Sequence, residues 1–189
     1  MSAKSAKEVI LTEARQIAQA HGYNGMNFRE LADRVGIKPA SIYHHFASKA
    51  DLGAAVARRY WEDAAARLAA IHDEEADPQA ALRRYPEVFR RSLENDNRLC
   101  LGSFMSAEHD NLPEAVMQEV QAFTEINVAW LGSTLVAAGI VALDDEAEIR
   151  ARAIVAAIAG AQLMARSRAD IALFDTLIST YRTVGLLPV

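Results

Sequence analysis

Cysteine, lysine and proline are all scarce in this 189-residue chain, and each scarcity excludes something. The one cysteine, Cys100, cannot close an internal disulfide, so the fold rests on its core, and a reducing cytoplasm is the expected setting. A chain of this length buries roughly 70% of its unfolded surface and needs no metal or disulfide to fold. Aromatic residues make up 7% of the chain and the five prolines are widely separated. The longest apolar stretches, Ile126–Leu143 and Ile154–Ala165, are interrupted by polar residues or too short for a bilayer, and Met1–Lys7 has no apolar signal-peptide core behind it. Two-residue alternation of the kind that marks half-buried strands is rare. The chain has no Ser-His-Asp arrangement, phosphate-cradling glycine loop or dinucleotide fingerprint, so no enzymatic activity is expected.

What is present is an uneven charge distribution. The net charge is minus 5. Residues 1–60 nevertheless carry nine Lys or Arg against five Asp or Glu, net plus 4, while the remainder is net minus 9; all four lysines lie at or before Lys49. A basic end on an acidic body suggests one unit that meets a polyanion and another with a different task.

Apolar positions recur at helical spacing nearly throughout, which predicts an all-α protein of about nine helices. A first helix carries the stripe Val9, Ile10, Ala14, Ile17, Ala18 and stops at Gly22. Asn27 caps a second, with Glu30 three residues on completing a capping box. Gly36 ends that helix, Pro39 opens a third through His45, and Ser48 with Asp51 opens a long fourth. Further helices are expected over 79–95, 100–108, 113–138, 144–167 and 170–184, with acidic residues 73–77 as a linker. Glu108, His109 and Asp110 read as a solvated helix end.

Residues 28–46, FRELADRVGIKPASIYHHF, carry the logic of a helix-turn-helix. Leu31 and Val35 share one face and Ile42 meets them across the turn; Ala32 lets two steeply crossed helices approach, and Gly36 takes the left-handed conformation the turn demands. Lys38, Pro39, Ser41, Tyr43, His44 and His45 are left facing outward, donors and flat rings at a helix start, as major-groove docking requires. Adjacent histidines on a helix diverge by about 100°, so His44 and His45 are not a chelating pair, and no metal or cofactor is expected.

This segment, continued by Ala47-Ser48-Lys49-Ala50-Asp51-Leu52, resembles the DNA-binding domain of the TetR family (TetR/AcrR type) of bacterial transcriptional regulators. The resemblance is specific over residues 8–60. It implies a helix-turn-helix domain over 1–52, which includes the start of the fourth helix, and a helical effector-binding and dimerisation domain over 53–189. It implies that Tyr43 and Lys49 hold phosphates, and that Arg29, Lys38, Ala40, Ser41 and His44 reach base edges or flanking phosphates, with Asn27 and Pro39 completing the DNA-facing set. The partners it implies are a double-stranded palindromic operator, a second copy held through the last two helices, and a small apolar or electrophilic effector. Candidate effector contacts are Tyr85, Phe89, Leu93, Cys100, Phe104, Met105, Met117, Phe123, Trp130 and Met164. Candidate dimer contacts are Ala153, Ile154, Ala157, Ala161 and Met164, then Ile171, Phe174, Leu177, Ile178 and Tyr181. Arg98–Phe104 also resembles a branch of the family with Gly-Cys-Leu at the start of the sixth helix, where the cysteine senses electrophiles or oxidants; here Leu99 replaces the glycine. Cys100 is thus either a sensor or a small buried hydrophobe. A ligand-responsive repressor is the expected function, with a regulator lacking an effector as the alternative and an all-helical enzyme as a remote one.

Overall fold

The computed structural model describes residues 5–142 and 144–188. These form ten α-helices and one 3-10 turn, with no strand among the described residues: α1 (Ala6–His21), α2 (Phe28–Val35), α3 (Pro39–His45), α4 (Lys49–Glu74), α5 (Pro78–Arg84), α6 (Glu87–Glu94), α7 (Leu101–Ser106), a 3-10 turn (His109–Asn111), α8 (Glu114–Ala137), α9 (Asp144–Arg168) and α10 (Ile171–Thr183). The tenth helix arises because the expected 79–95 helix is broken. Pro86 has no N–H to give to Leu82, and its ring crowds the preceding turn, so the chain passes through Tyr85 and Pro86 and restarts as α6.

Local chemistry accounts for most boundaries. Asn27 Oδ1 accepts the backbone N–H groups of Arg29 and Glu30 at 2.8 and 3.4 Å. The other half of the expected capping box is not formed: Glu30 turns outward to Arg34, one helical turn on, at 2.9 Å. Ser48 and Asp51 do pair, the Ser48 hydroxyl donating to Asp51 Oδ2 at 2.9 Å and accepting the Asp51 N–H at 3.1 Å. Gly36 adopts φ 76°, ψ 32°, and its N–H and that of Ile37 both return to the Ala32 carbonyl.

Two compact units emerge. The first holds residues 5–62 and also 101–122, so the helix-turn-helix shares its core with α7 and the start of α8, segments that the reading from sequence assigned to the second domain. Ile10, Ile17, Leu31, Ile42, Leu52 and Met105 are essentially inaccessible within it. The second unit holds residues 63–100 and 123–188, with Tyr85, Phe89, Leu93, Ile154, Ile158 and Phe174 at its centre.

Polar groups in that second core are satisfied in place. The Tyr85 hydroxyl donates to Asn127 Oδ1 at 2.9 Å, and Asn127 Nδ2 donates to the Phe123 carbonyl at 2.7 Å. Gln162 accepts the Cys100 N–H at 3.0 Å and donates to the Phe89 carbonyl at 2.6 Å. Each of these groups would be costly to bury alone.

Candidate nucleic-acid interface

α3 is short because it begins at Pro39, preorganised for the first helical position, and ends at Phe46, whose ring turns into the core. Ile42 is the fully buried anchor of its inner face. Lys38, Pro39, Ala40, Ser41, Tyr43 and His44 are therefore exposed, Tyr43 by 58%, whereas His45 is half-buried. Tyr43 leans on Phe28 with ring centroids 4.7 Å apart, which fixes the ring and leaves its hydroxyl end outward.

Beside α3 lies an open groove of about 790 Å3, lined by residues 24–30 together with Pro39, Tyr43 and Lys49. It brings together five of the expected DNA-facing residues, Asn27, Arg29, Pro39, Tyr43 and Lys49; Lys38, Ala40, Ser41 and His44 lie on exposed parts of α3 and its start, outside the groove lining. Asn27 is committed to capping α2, so its side-chain oxygen is a structural acceptor. The exposed N-terminus of α2 and the cations Arg29 and Lys49 give this face an electropositive character.

Lys49 is folded back onto the α1–α2 loop. Its Nζ donates to the Asn24 carbonyl at 3.0 Å and sits 4.7 Å from the Tyr23 ring centre. Burial pulls its ammonium below the ordinary lysine value, and the Glu108 carboxylate partly restores it.

Glu108, expected to be a solvated helix end, is instead built into this face. Its carboxylate accepts the Tyr23 N–H at 2.5 Å and the Asn24 N–H at 3.3 Å, closing the α1–α2 loop from the segment between α7 and α8. Gly22, with φ 71°, leaves the space the carboxylate occupies, since a methyl group there would run into it. Only His109 and Asp110 stand in solvent as expected. Glu108 was illegible because its partners are backbone donors with no side-chain signature.

The expected effector residues divide between the units. Tyr85, Phe89, Leu93, Cys100, Phe123 and Trp130 lie in the second; Tyr85 stacks on Trp130 at 5.6 Å and meets Phe89 at 5.8 Å, and Phe89 meets Phe123 at 6.5 Å. Phe104, Met105 and Met117 belong to the first unit, with Met105 fully buried there. Met164 is 51% exposed, because Ala161, Gln162 and Ala165 take the inward positions of that turn of α9. Ile154, Ala161, Phe174 and Ile178 are buried inside their own chain and cannot form a partner surface. Of the other residues expected there, Ala153 and Met164 are exposed and Ala157, Ile171, Leu177 and Tyr181 half-buried; with Ala153, the exposed stripe of α9 comprises Ile149, Ala156, Gly160 and Leu163.

Residues 10–56 match the family model of bacterial regulatory proteins, tetR family. That stretch, the helix-turn-helix segment, belongs to the TetR family. The chain is similar to the HTH-type transcriptional repressor AcnR of Corynebacterium glutamicum, 35% identical over 94 residues, which cover 50% of this chain and 44% of that protein. It is also similar to the HTH-type transcriptional activator FasR of Mycolicibacterium smegmatis, 28% identical over 117 residues, covering 61% of this chain and 52% of that one. The aligned part thus spans about half the length of these curated relatives. A TetR transcriptional regulator from Legionella pneumophila has the same fold along nearly its whole length, with a TM-score of 0.90, 26% identity and coverage of 97% of this chain and 99% of that one. Among the described residues, no helix is long and apolar enough to cross a membrane.

Proposed function

We propose that this chain is a DNA-binding transcriptional regulator that acts as a homodimer on a palindromic operator in the cytoplasm. The observation that carries the reading is the exposed face of α3 beside the groove that holds Arg29, Tyr43 and Lys49. On DNA, Tyr43 and Lys49 grip phosphates and set the register; Lys38, Ala40, Ser41 and His44 present side chains to base edges, and Arg29 forks onto a base or an adjacent phosphate. Dimerisation runs through α9 and α10, with the apolar stripe of α9 as the contact. Two recognition helices in successive major grooves then stand about 34–36 Å apart, so an effector that changes their spacing releases the operator. The aromatic cluster of Tyr85, Phe89, Phe123 and Trp130 supports an apolar effector.

A mobility shift on the DNA upstream of the protein's own gene tests this. Specific retardation at physiological salt is expected, with the shift lost when one half-site is scrambled. Salt-labile binding indifferent to sequence, on that DNA and in a genome-wide binding selection alike, overturns the reading. The curated relatives include one named activator and one named repressor. Repression is the sign we assign, and transcription from the bound promoter in vitro decides it.

A further inference from the structure

α4 and the α5–α6 segment lie side by side within the second unit, and a cleft of about 100 Å3 runs between them. Each contributes one face: residues 67, 70, 71 and 74 from α4, and 84, 87, 88 and 91 from α5–α6, both at the spacing of a single helical stripe. One end is closed by ions. Arg84 pairs with Glu74 at 2.8 Å, with Glu75 at 3.1 Å and, more loosely, with Glu87 at 3.8 Å.

The other end is different. Arg67 and Arg91 also line the cleft, and among the described residues neither makes an ion pair. Arg67 Nε is buried with no hydrogen-bond partner at all. The two glutamates of the lining, with Glu75, gather on Arg84, so Arg67 and Arg91 line the small cavity without a carboxylate bound directly to either. Ala70, Ile71 and Val88 make the wall between the charged ends.

We propose that this cleft is a binding site for a small organic carboxylate, its anionic head held by Arg67 and Arg91 and its short aliphatic tail against Ile71 and Val88. Guanidinium groups match the planar carboxylate fork, and a buried, unbonded Nε is a donor awaiting such an oxygen. The cavity is smaller than the ~150 Å3 void that accommodates benzene, which limits the tail to a few carbons. The apolar wall favours such an acid over a fully hydrated inorganic anion. Nothing in this assignment uses the DNA-facing residues.

Calorimetric titration of the full-length chain with butyrate, and separately with inorganic phosphate at the same ionic strength, tests the site. Saturable butyrate binding, tighter than that of phosphate, is expected. Arg91→Gln, at an exposed position where folding is not at risk, weakens it about tenfold or more, as does Arg67→Gln, whereas Arg83→Gln, on the outer face, leaves it unchanged. Absence of saturable butyrate binding, tighter binding of phosphate, or an Arg91→Gln affinity equal to that of the parent overturns the proposal. The readout contains no DNA, so its failure is distinguishable from failure of the regulator reading.

Discussion

The carboxylate of Glu108 accepts the backbone N–H of Tyr23, a residue 85 positions earlier, and of Asn24 beside it. This single side chain ties the α7–α8 segment to the loop that delivers the chain into the helix-turn-helix. Charge-assisted bonds to backbone donors are among the stronger contacts available on a protein surface. Lys49 joins the same knot through the Asn24 carbonyl and the Tyr23 ring, so the loop is held from both sides.

Glu108→Ala is expected to destabilise the fold by about 1–3 kcal/mol, because two loop donors lose an ionised acceptor. Denaturant unfolding measures the loss, and amide exchange at Tyr23 and Asn24 should quicken well before exchange in α8. Unchanged protection at those two amides refutes the clasp. Gly22→Ala attacks the same contact from the other side by displacing the carboxylate. Its cost in the Glu108→Ala background should be smaller than alone, leaving only the strain of the positive φ.

The helix-turn-helix was legible because its signals are local. An Asn cap, a left-handed glycine, a proline at the first helical position and an alanine at the crossing each act within a few residues, and each is where the sequence placed it. The rest depends on partners far along the chain. Glu108 finds backbone groups, Arg67 and Arg91 are notable only because the carboxylates of their cleft gather on Arg84, and Met164 is outward because its neighbours win the inward positions. Pro86 was a local signal outweighed by the apolar periodicity of 79–95, and the structure obeys the proline.

The DNA face separates positioning from reading. Lys49→Ala is expected to weaken all duplexes about equally and to lower the slope of log K against log salt by about one. Arg29→Ala or Lys38→Ala should in addition relax preference at one position, by about 1–3 kcal/mol where a bidentate contact is lost. Salt titrations on operator and scrambled duplexes check both, and a Lys49→Ala protein with the parent slope removes that residue from the phosphate set.

Acid should loosen the first unit at a definable point. Glu119 accepts hydrogen bonds from Arg58 and, at 2.8 Å, from the Trp61 indole N–H, and these hold its carboxyl below the usual carboxylate value despite partial burial. A depressed folded value means the native state holds the carboxylate ionised where the unfolded chain would already protonate. The stabilisation is therefore complete above the unfolded value near 4.5 and fades as pH falls through the lower folded value. Glu119→Gln should be less stable at neutral pH and show a shallower loss on acidification. Parallel acid limbs for parent and variant, followed by urea midpoints from pH 7 to pH 3, reject the assignment.

Cys100 divides two chemistries by access. Its exposure is 1%, and its backbone N–H is fixed to Gln162 immediately before α7 begins. A thiol must be within reach of a reagent to act as a sensor, and burial opposes that. The native protein is therefore expected to resist a bulky maleimide for as long as it stays folded, with labelling that follows global unfolding as denaturant is added. DNA binding should survive hydrogen peroxide for the same reason. Rapid stoichiometric labelling without denaturant, accompanied by loss of the operator complex, would make the cysteine a sensor and require a local opening at the 98–100 segment that exposes it.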